Sequence, residues 1–433
     1  MEISGWGRYP KIDAAVTLPA SAVACASALK GPGLLIPRGL GRSYGDSSLA
    51  PQVLETTELQ YFQEFDPETG VLACDAGVSL FEILNVFVPQ GWFLPVSPGT
   101  RFVTVGGAIA SDVHGKNHHI DGTFCEHVLS LDIALGNGEI VTASLTQNPD
   151  LFHATCGGMG LTGVIVSARI RLKPITSSDI LETTIKAPNL DAVLDGFEKY
   201  IGSTYSVAWI DCLAKGTDLG RSLLMIGEHA TDGGLKVASK KPITIPMDAP
   251  TQLLNPLSIK AFNTLYYGKV LQAEQSRRTS CETYFYPLDQ MLHWNRLYGK
   301  PGFLQYQFVI PTATGREGMR RILEEITESG QGSFLAVLKA FGKENGNYLS
   351  FPVEGYTLAL DFKVTPSIFK LLDRLDELVL QYGGRLYLAK DARMTEQTFK
   401  ASYPRWQEFE AVRRKYHAIG KFASLQSTRL GLA

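Results

Sequence analysis

Residues 37–46 read PRGLGRSYGD, a glycine-rich stretch that follows a short β-like run over residues 34–37. Glycine adopts positive φ angles at little cost, which lets successive backbone amides converge on an anion. The stretch therefore predicts either a phosphate cradle or a glycine-rich hairpin, and the motif alone leaves both open.

A second pair of glycine segments follows about sixty residues later, where residues 97–100 read SPGT and residues 105–110 read VGGAIA. We interpret both as turns whose N–H groups point toward a diphosphate. They differ from a nicotinamide-binding Rossmann unit, because no βαβ alternation surrounds them and no acidic residue stands where a ribose would be bound. The two loops together predict a dinucleotide held in another way.

Residues 111–119 read SDVHGKNHH and place three histidines within six positions. Adjacent His118 and His119 would point in different directions on a strand, and no nearby carboxylate or cysteine completes a tetrahedral set with His114. We therefore predict no metal site. The cluster supplies either hydrogen-bond donors for a bound anion or cofactor, or polar surface.

Composition limits the class of protein. The chain has 433 residues, 45% of them hydrophobic and 19% charged, with a net charge of -2. This length predicts two domains or one domain with a large insertion, and the charge balance argues against a nucleic-acid-binding protein. The six cysteines form no CxxC pair, which disfavours structural zinc and a disulfide scaffold.

The sequence also bears on the location of the protein. Residues 1–12 lack the apolar run of a signal peptide, and no apolar stretch has the length of a membrane span. We therefore expect a cytoplasmic protein, with contact to a membrane surface left open.

The order of predicted elements indicates an α+β fold. Residues 34–173 alternate short β-rich runs with glycine clusters, and a capping-box pair, Ser79 and Glu82, predicts one helix. After Pro174 come longer predicted strands at 303–311 and 356–362 and amphipathic helices at 316–329 and 365–383. This second part reads as an antiparallel sheet covered by helices.

Residues 231–257 combine several glycines and prolines with apolar side chains. A structureless stretch of this length predicts a lid, a surface-contacting loop or plain disorder. Residues 231–257 and 262–267 are also candidates for contact with lipid or, equally, for covering the active site.

The glycine segments resemble a known family, the FAD-linked oxidases of the vanillyl-alcohol-oxidase type. The resemblance is carried by residues 37–46, 98–110 and 152–165, in that order. It implies that FAD lies extended between two small α+β subdomains, with its diphosphate on the glycine loops and its isoalloxazine ring facing an inserted substrate domain. The predicted divisions are 1–175 for the FAD-binding domain, 176–384 for the substrate domain and 385–433 for a segment that completes the FAD-binding domain.

Nearly the whole chain is similar to one branch of that family, which oxidises a polyprenyl-phosphate-linked ribofuranose. The shared strings are GRSYGD (41–46), HGKNHH (114–119), QYQFV (305–309), GRLYLAKD (384–391) and YPR (403–405). The branch implies oxidation of the sugar's 2-hydroxyl to a 2-keto sugar by hydride transfer to flavin N5. An NAD(P)H-dependent reductase would then complete a ribose-to-arabinose epimerisation, and a quinone is a candidate electron acceptor.

The resemblance also implies site residues. The implied catalytic residues are Lys390, Tyr44 and Gln307, and the implied substrate-binding residues are Lys116, His118, Gln305, Lys339 and Ala359. The implied FAD-binding residues are Arg38, Gly39, Leu40, Gly41, Arg42, Ser43, Gly45, Pro98, Gly99, Thr100, Gly106, Gly107, Ala110, Ser111, His114, Gly115, Asn117, Gly160, Gly163 and Ile165.

Two positions depart from relatives. Arg42 occupies the place where many relatives carry a histidine that tethers FAD, so we predict a non-covalent flavin. Ala359 stands where some members have a cysteine, so that thiol plays no part in this chain.

Two alternative functions remain open for the chain. One is a soluble alditol or aldonolactone oxidase that uses oxygen, and the other is a non-catalytic glycan-binding protein.

Overall fold

The computed structural model describes residues 1–237, 242–250 and 252–432. The first part of the chain consists of short strands and helices joined by glycine turns. Its strands are β1 Glu2–Ser4, β2 Lys11–Asp13, β3 Ala15–Thr17, β4 Ile36–Arg38, β5 Gln52–Glu55, β6 Phe62–Asp66, β7 Val71–Asp75, β8 Trp92–Phe93, β9 Val128–Ala134, β10 Ile140–Ala143, β11 Val164–Arg171 and β12 Lys173–Pro174. Its helices are α1 Ala22–Leu29, α2 Leu80–Phe87, α3 Val105–Ala110, α4 His118–Asp121 and α5 Pro149–Thr155.

Two sheets organise this part. Strands β3, β5 and β4 form a parallel sheet in the order β3-β5-β4, and an antiparallel sheet has the order β10-β9-β11-β7-β6. The helix predicted from Ser79 is α2, and its capping box is formed: the Ser79 Oγ accepts from the Glu82 N–H at 3.2 Å, and Glu82 Oε2 accepts from the Ser79 N–H at 2.8 Å. This prediction is confirmed.

The second part is built on one large sheet. Its strands are β13 Asp179–Ala187, β14 Tyr205–Ile210, β15 Ser222–His229, β16 Ile243–Thr244, β17 Glu274–Ser280, β18 Met291–Leu292, β19 Phe303–Pro311, β20 Ala336–Phe341, β21 Gly355–Lys363 and β22 Arg385–Leu386. Its helices are α6 Leu190–Lys199, α7 Pro256–Gly268, α8 Cys281–Phe285, α9 Thr312–Ser329 and α10 Pro366–Gln381. Eight strands pair antiparallel in the order β17-β13-β15-β14-β20-β21-β19-β22.

Side chains alternate along β19, so that successive residues lie on opposite faces of the large sheet. Tyr306 and Phe308 belong to the core, and the Tyr306 hydroxyl donates to Asp376 on α10 at 3.0 Å. Gln305 and Gln307 alternate with them and line a cavity on the opposite side. The helix-covered antiparallel sheet predicted from the sequence is therefore present, and its uncovered face carries polar side chains.

The two predicted helices of this part exist, with different accuracy at their ends. Helix α10 begins at Pro366, and its N-cap Thr365 has a side chain that accepts from the Ile368 N–H, as expected. Helix α9 begins at Thr312, four residues earlier than predicted. Gly315 is a poor helix former, but a Cβ there would lie 2.8 Å from the Tyr356 ring, so close packing selects glycine inside the helix.

The prediction of a structureless loop over residues 231–257 is wrong for part of the described chain. Strand β16 pairs in parallel with β18, and helix α7 starts at Pro256. Asn255 caps that helix through its Oδ1, which accepts from the Leu257 and Ser258 N–H groups. The local signal was present, because asparagine followed by proline is typical of a helix start. Residues 238–241 and 251 lie outside the described residues.

The carboxyl-terminal segment returns to the amino-terminal part of the chain. It contains helices α11 Glu396–Ser402, α12 Trp406–Lys415 and α13 Leu425–Arg429. Leu35 bridges Phe422, and the buried Arg413 donates to the carbonyls of Leu161 at 3.0 Å and Phe422 at 2.9 Å. The domain divisions at 175 and 384 remain our proposal. Within the described ranges, no helix has the length and apolarity needed to cross a membrane.

Candidate active site

A cavity of about 960 Å³ lies between the glycine loops and the uncovered face of the large sheet. The first loop, residues 38–44, forms one wall with residues 97–100 and helix α3, and strands β19, β20 and β21 form another. Ligand pockets for cofactors and small molecules reach roughly this size. The cavity therefore joins the predicted cofactor loops to the predicted substrate residues.

The first glycine loop presents free backbone donors. In the described protein, the N–H groups of residues 40–43 donate to no other residue. Gly41 has a φ of +61°, and a Cβ on Gly39 would lie 2.3 Å from Thr104 Oγ1, so glycine is required at both positions. Unpaired amides that line a cavity suit the oxygen atoms of a diphosphate.

The second glycine segment differs from the prediction. Residues 105–110, interpreted above as a turn, form helix α3, and its cap residue Thr104 accepts from the Gly107 N–H at 3.0 Å. Glycine at position 106 lets the helix pack closely on Ala76, because a Cβ on residue 106 would lie only 3.1 Å from the Ala76 side chain. The preceding loop is open, since a Cβ on Gly99 would meet nothing within 4 Å. A cofactor can therefore approach Gly99 closely.

His114 has the chemistry of a neutral donor in the cavity wall. The Gln307 Nε2 donates to the His114 Nε2 at 3.1 Å, and burial lowers the pKa of His114 well below its usual value. Its proton therefore resides on Nδ1, which is buried and has no acceptor among the described residues. A buried Nδ1–H without an acceptor in the cavity wall suits a ligand that carries hydrogen-bond acceptors, as FAD does.

Three lysines line the cavity. The Lys390 Nζ lies 4.0 Å from the centroid of the Tyr44 ring, and burial lowers its pKa to about 7. Burial lowers the pKa of Lys339 to about 8. Lys116 donates to the Tyr284 carbonyl, and burial lowers its pKa to about 7. Their shared presence makes this part of the cavity a site for negative charge.

Most of the predicted site residues line the cavity, and a few do not. Lys390, Tyr44, Gln307, Gln305, Lys116, Lys339 and Ala359 are in its wall, as are the predicted FAD-binding residues apart from Gly45, Gly115 and Asn117. Asn117 instead donates to the Pro95 carbonyl at 2.7 Å. His118 is also behind the wall, where its Nδ1 accepts from the Gly342 N–H at 3.1 Å and its ring packs on Phe341.

Four predicted site residues, Gly45, Gly115, Asn117 and His118, therefore do not line the cavity. His118 supports β20 and the segment after it, so its prediction as a substrate ligand does not match its position. Gly45 packs against the carboxyl-terminal segment, since a Cβ there would lie 1.8 Å from the Asp391 carbonyl oxygen. Within the described residues, no group of three His, Cys, Asp or Glu side chains is placed to hold a metal ion.

Sequence reasoning missed several wall residues. Thr357 accepts a hydrogen bond from Gln307 at 3.3 Å. It could have been predicted, because residues 357 and 359 lie on the same face of β21 and Ala359 was already assigned to the site. Trp209 and Tyr284 also line the cavity. They come from β14 and α8, and no local motif marks them. Phe262 and Tyr266 of α7 line it too, as expected if residues 262–267 cover the active site.

The comparisons with known proteins agree with this geometry. Residues 19–144 match a family described as an FAD binding domain. The chain is 38% identical to decaprenylphosphoryl-beta-D-ribose oxidase of Mycolicibacterium smegmatis, over 99% of this chain and 97% of that protein. It is also 31% identical to xylooligosaccharide oxidase of Thermothelomyces thermophilus over 38% of this chain and 34% of that protein. FAD is the cofactor, as the family resemblance implied.

The flavin is expected to dissociate on denaturation. The Arg42 guanidinium packs 4.1 Å from the Trp6 ring centroid and cannot form the covalent bond that a histidine would form at this position. Denatured protein analysed by mass spectrometry should have the mass of the unmodified chain, with free FAD in the supernatant. A protein mass increased by one flavin would contradict the prediction.

Proposed function

This chain belongs to the decaprenylphosphoryl-β-D-ribose oxidase family of FAD-dependent oxidoreductases acting on CH–OH groups, and from that premise we propose that it oxidises the 2-hydroxyl of a polyprenyl-phosphate-linked ribofuranose to a 2-keto sugar. One observation carries the proposal. The cavity that adjoins the FAD loops contains three lysines beside the amides of Gln305 and Gln307. Lysines suit a phosphate, and amides suit sugar hydroxyls.

FAD supplies hydride acceptance at its N5 atom. The residues that would hold it are those of the first loop, of the open loop at Gly99, and of α3. The chain must then orient a secondary alcohol and stabilise the charge that develops as its hydroxyl proton leaves. Lys390, whose ammonium lies over the Tyr44 ring, is the group we assign to that charge.

Lys339 is the residue we assign to the substrate phosphate. Lys390 has Asp361 as a nearby carboxylate, and Lys116 has Glu182. In the part of the chain that the structure describes, no acidic residue is close enough to raise the pKa of Lys339. A buried ammonium without a counter-ion is costly, and the single negative charge of the bound phosphodiester would reduce that cost.

The decisive experiment is anaerobic mixing of the yellow protein with candidate substrates, followed by absorbance near the flavin band. A polyprenyl-phosphate-linked ribofuranose should bleach the flavin, whereas free alditols and aldonolactones should leave it oxidised. Bleaching by free sugars with peroxide release in air would favour the soluble alditol or aldonolactone oxidase. A purified protein without a yellow chromophore would favour the non-catalytic glycan-binding protein.

The chemistry also sets the partners that we propose. The 2-keto product requires an NAD(P)H-dependent reductase to reach the epimeric alcohol. The reduced flavin requires an electron acceptor, for which a quinone is the candidate that a lipid surface would supply.

We further propose that helix α7 rests on a lipid surface. Its outward side chains Leu257 and Leu265 are 80% and 75% exposed, with the exposed Lys260 between them. On its other side, Ile259 and Phe262 line the cavity. A lipid-linked substrate could therefore enter beside α7 with its apolar chain still in the lipid.

Removing the apolar surface of α7 should weaken this contact. The double variant Leu257→Ser/Leu265→Ser is expected to sediment with anionic phospholipid vesicles at least about tenfold less than the parent protein, since each change removes buried apolar area. The control is Leu145→Ser, because Leu145 is 64% exposed and lies outside this region. Equal sedimentation of the parent and the double variant would contradict the proposal.

A further inference from the structure

Asp361 is a buried carboxylate directly behind the cavity wall. It lies on β21, is 1% exposed, and pairs in register with Gln305 of β19. The Gln305 Nε2 donates to Asp361 Oδ1 at 2.6 Å, and the Asp361 N–H donates to the Ser333 Oγ at 3.1 Å. The second carboxylate oxygen, Oδ2, is buried and has no hydrogen-bond partner among the described residues.

A buried carboxylate oxygen without a donor is unusual and requires a reason. The cation whose charge acts on this carboxylate is Lys390, on the segment that follows β22. The other titratable groups around it are the hydroxyls of Tyr44 and Tyr298. Lys390 itself faces the Tyr44 ring, Lys339 and His114. Among the described groups that act on Lys390, Asp361 is the only acid.

We propose that Asp361 is the buried counter-ion of Lys390, a positioning residue that holds the Lys390 side chain charged and directed at the reacting hydroxyl. Only the role of Lys390 in the reaction rests on the proposed function. The proximity of the two residues follows from the sheet: the Tyr387 N–H, three residues before Lys390, donates to the Gln307 carbonyl of β19 at 2.9 Å, and Asp361 is on β21, which pairs with β19 on its other side. The pairing also gives Gln305 a role, because its amide links Asp361 to the wall that the substrate contacts.

The direction of each pKa shift agrees with such a pair. Burial raises the pKa of Asp361 to about 7, and Lys390 opposes that rise. Burial lowers the pKa of Lys390 to about 7, and Asp361 opposes that fall while Lys339 adds to it. If Asp361 is neutralised, Lys390 keeps the burial and the neighbouring cation but loses its counter-charge. The pKa of Lys390 then falls, and its charged form is lost at a lower pH.

The test is Asp361→Asn in the holoenzyme, with two measurements. In protein labelled with [ε-13C]lysine, the signal absent from Lys390→Arg identifies Lys390, and its chemical shift is followed against pH without any substrate. The midpoint of that titration should fall by about one pH unit in Asp361→Asn. The alkaline limb of the rate of flavin reduction by substrate should move to lower pH by the same amount.

Asp376→Asn is the matched control. Asp376 is also buried with a pKa raised by burial to about 7, but its partners are Tyr306 and Arg393. This change should leave the Lys390 titration unmoved, and Asp361→Glu should restore the parent midpoint. If Asp361→Asn does not fold, Asp361→Ser serves as the second neutral variant.

The Lys390 titration tests the pairing with Asp361, and the reduction of the flavin by substrate tests the proposed function. An unchanged Lys390 midpoint in the neutral variants would overturn the pairing, whatever the substrate is. A shifted midpoint in a protein that no lipid-linked ribose reduces would support the pairing and refute the proposed function.

Discussion

Lys390→Ala is expected to lower the rate of flavin reduction by substrate at least about 100-fold, because it removes the cation that we assign to the charge developing on the alcohol oxygen. FAD should remain bound, because the groups to which we assign its diphosphate are the backbone amides of residues 40–43, none of which is a lysine. Anaerobic stopped-flow absorbance measures the rate, and the flavin-to-protein absorbance ratio measures occupancy.

Two controls make this result specific. Lys390→Met keeps the alkyl stem over the Tyr44 ring and should be equally slow, because charge and not packing is the property removed. Lys415→Ala removes an exposed lysine that is paired with Asp150 and should reduce at the parent rate. Near-normal turnover of FAD-loaded Lys390→Ala would show that this residue has no part in the reaction.

The parts of the fold that the sequence predicts are those governed by neighbours along the chain. Ser79 with Glu82, and Thr365 with Pro366, mark helix starts through hydrogen bonds within one turn, and both helices begin there. Strand β19 matches its prediction because an apolar run next to a strand-ending proline carries its own signal. For the glycine loop at residues 37–46 the sequence left a phosphate cradle and a hairpin open, and the cradle remains a prediction.

Long-range packing decides the features that the sequence did not reveal. Residues 105–110 contain two glycines and read as a turn, yet Thr104 and the close approach to Ala76 allow a helix there. His118 was assigned to the substrate because the family resemblance implied it, whereas its hydrogen-bond partner Gly342 lies more than two hundred residues away. The proposed link between Asp361 and Lys390 is similar, since strand β21 and the segment after β22 are brought to the two sides of β19 only in the folded sheet.

The same long-range packing makes Gly45 the glycine with the largest expected effect on stability. Its missing side chain leaves room for the carboxyl-terminal segment: a Cβ would lie 1.8 Å from the Asp391 carbonyl oxygen and 2.9 Å from the Ala392 Cα. These are backbone atoms, so no side-chain rotation relieves the clash. The loop and the segment are also joined by the Tyr44 N–H, which donates to the Ala389 carbonyl at 3.0 Å.

Gly45→Ala should therefore lower the free energy of unfolding by at least about 3 kcal/mol, which is the upper part of the range for overpacked positions. It should also slow substrate oxidation, because separating the loop from the segment displaces Tyr44 from Lys390. Urea denaturation followed by tryptophan fluorescence measures the first effect. Gly202→Ala is the control, since a Cβ there meets nothing within 4 Å and stability should be unchanged. If Gly45→Ala is as stable as Gly202→Ala, the carboxyl-terminal segment does not pack on the glycine loop, and Lys390 is not held beside the flavin by this contact.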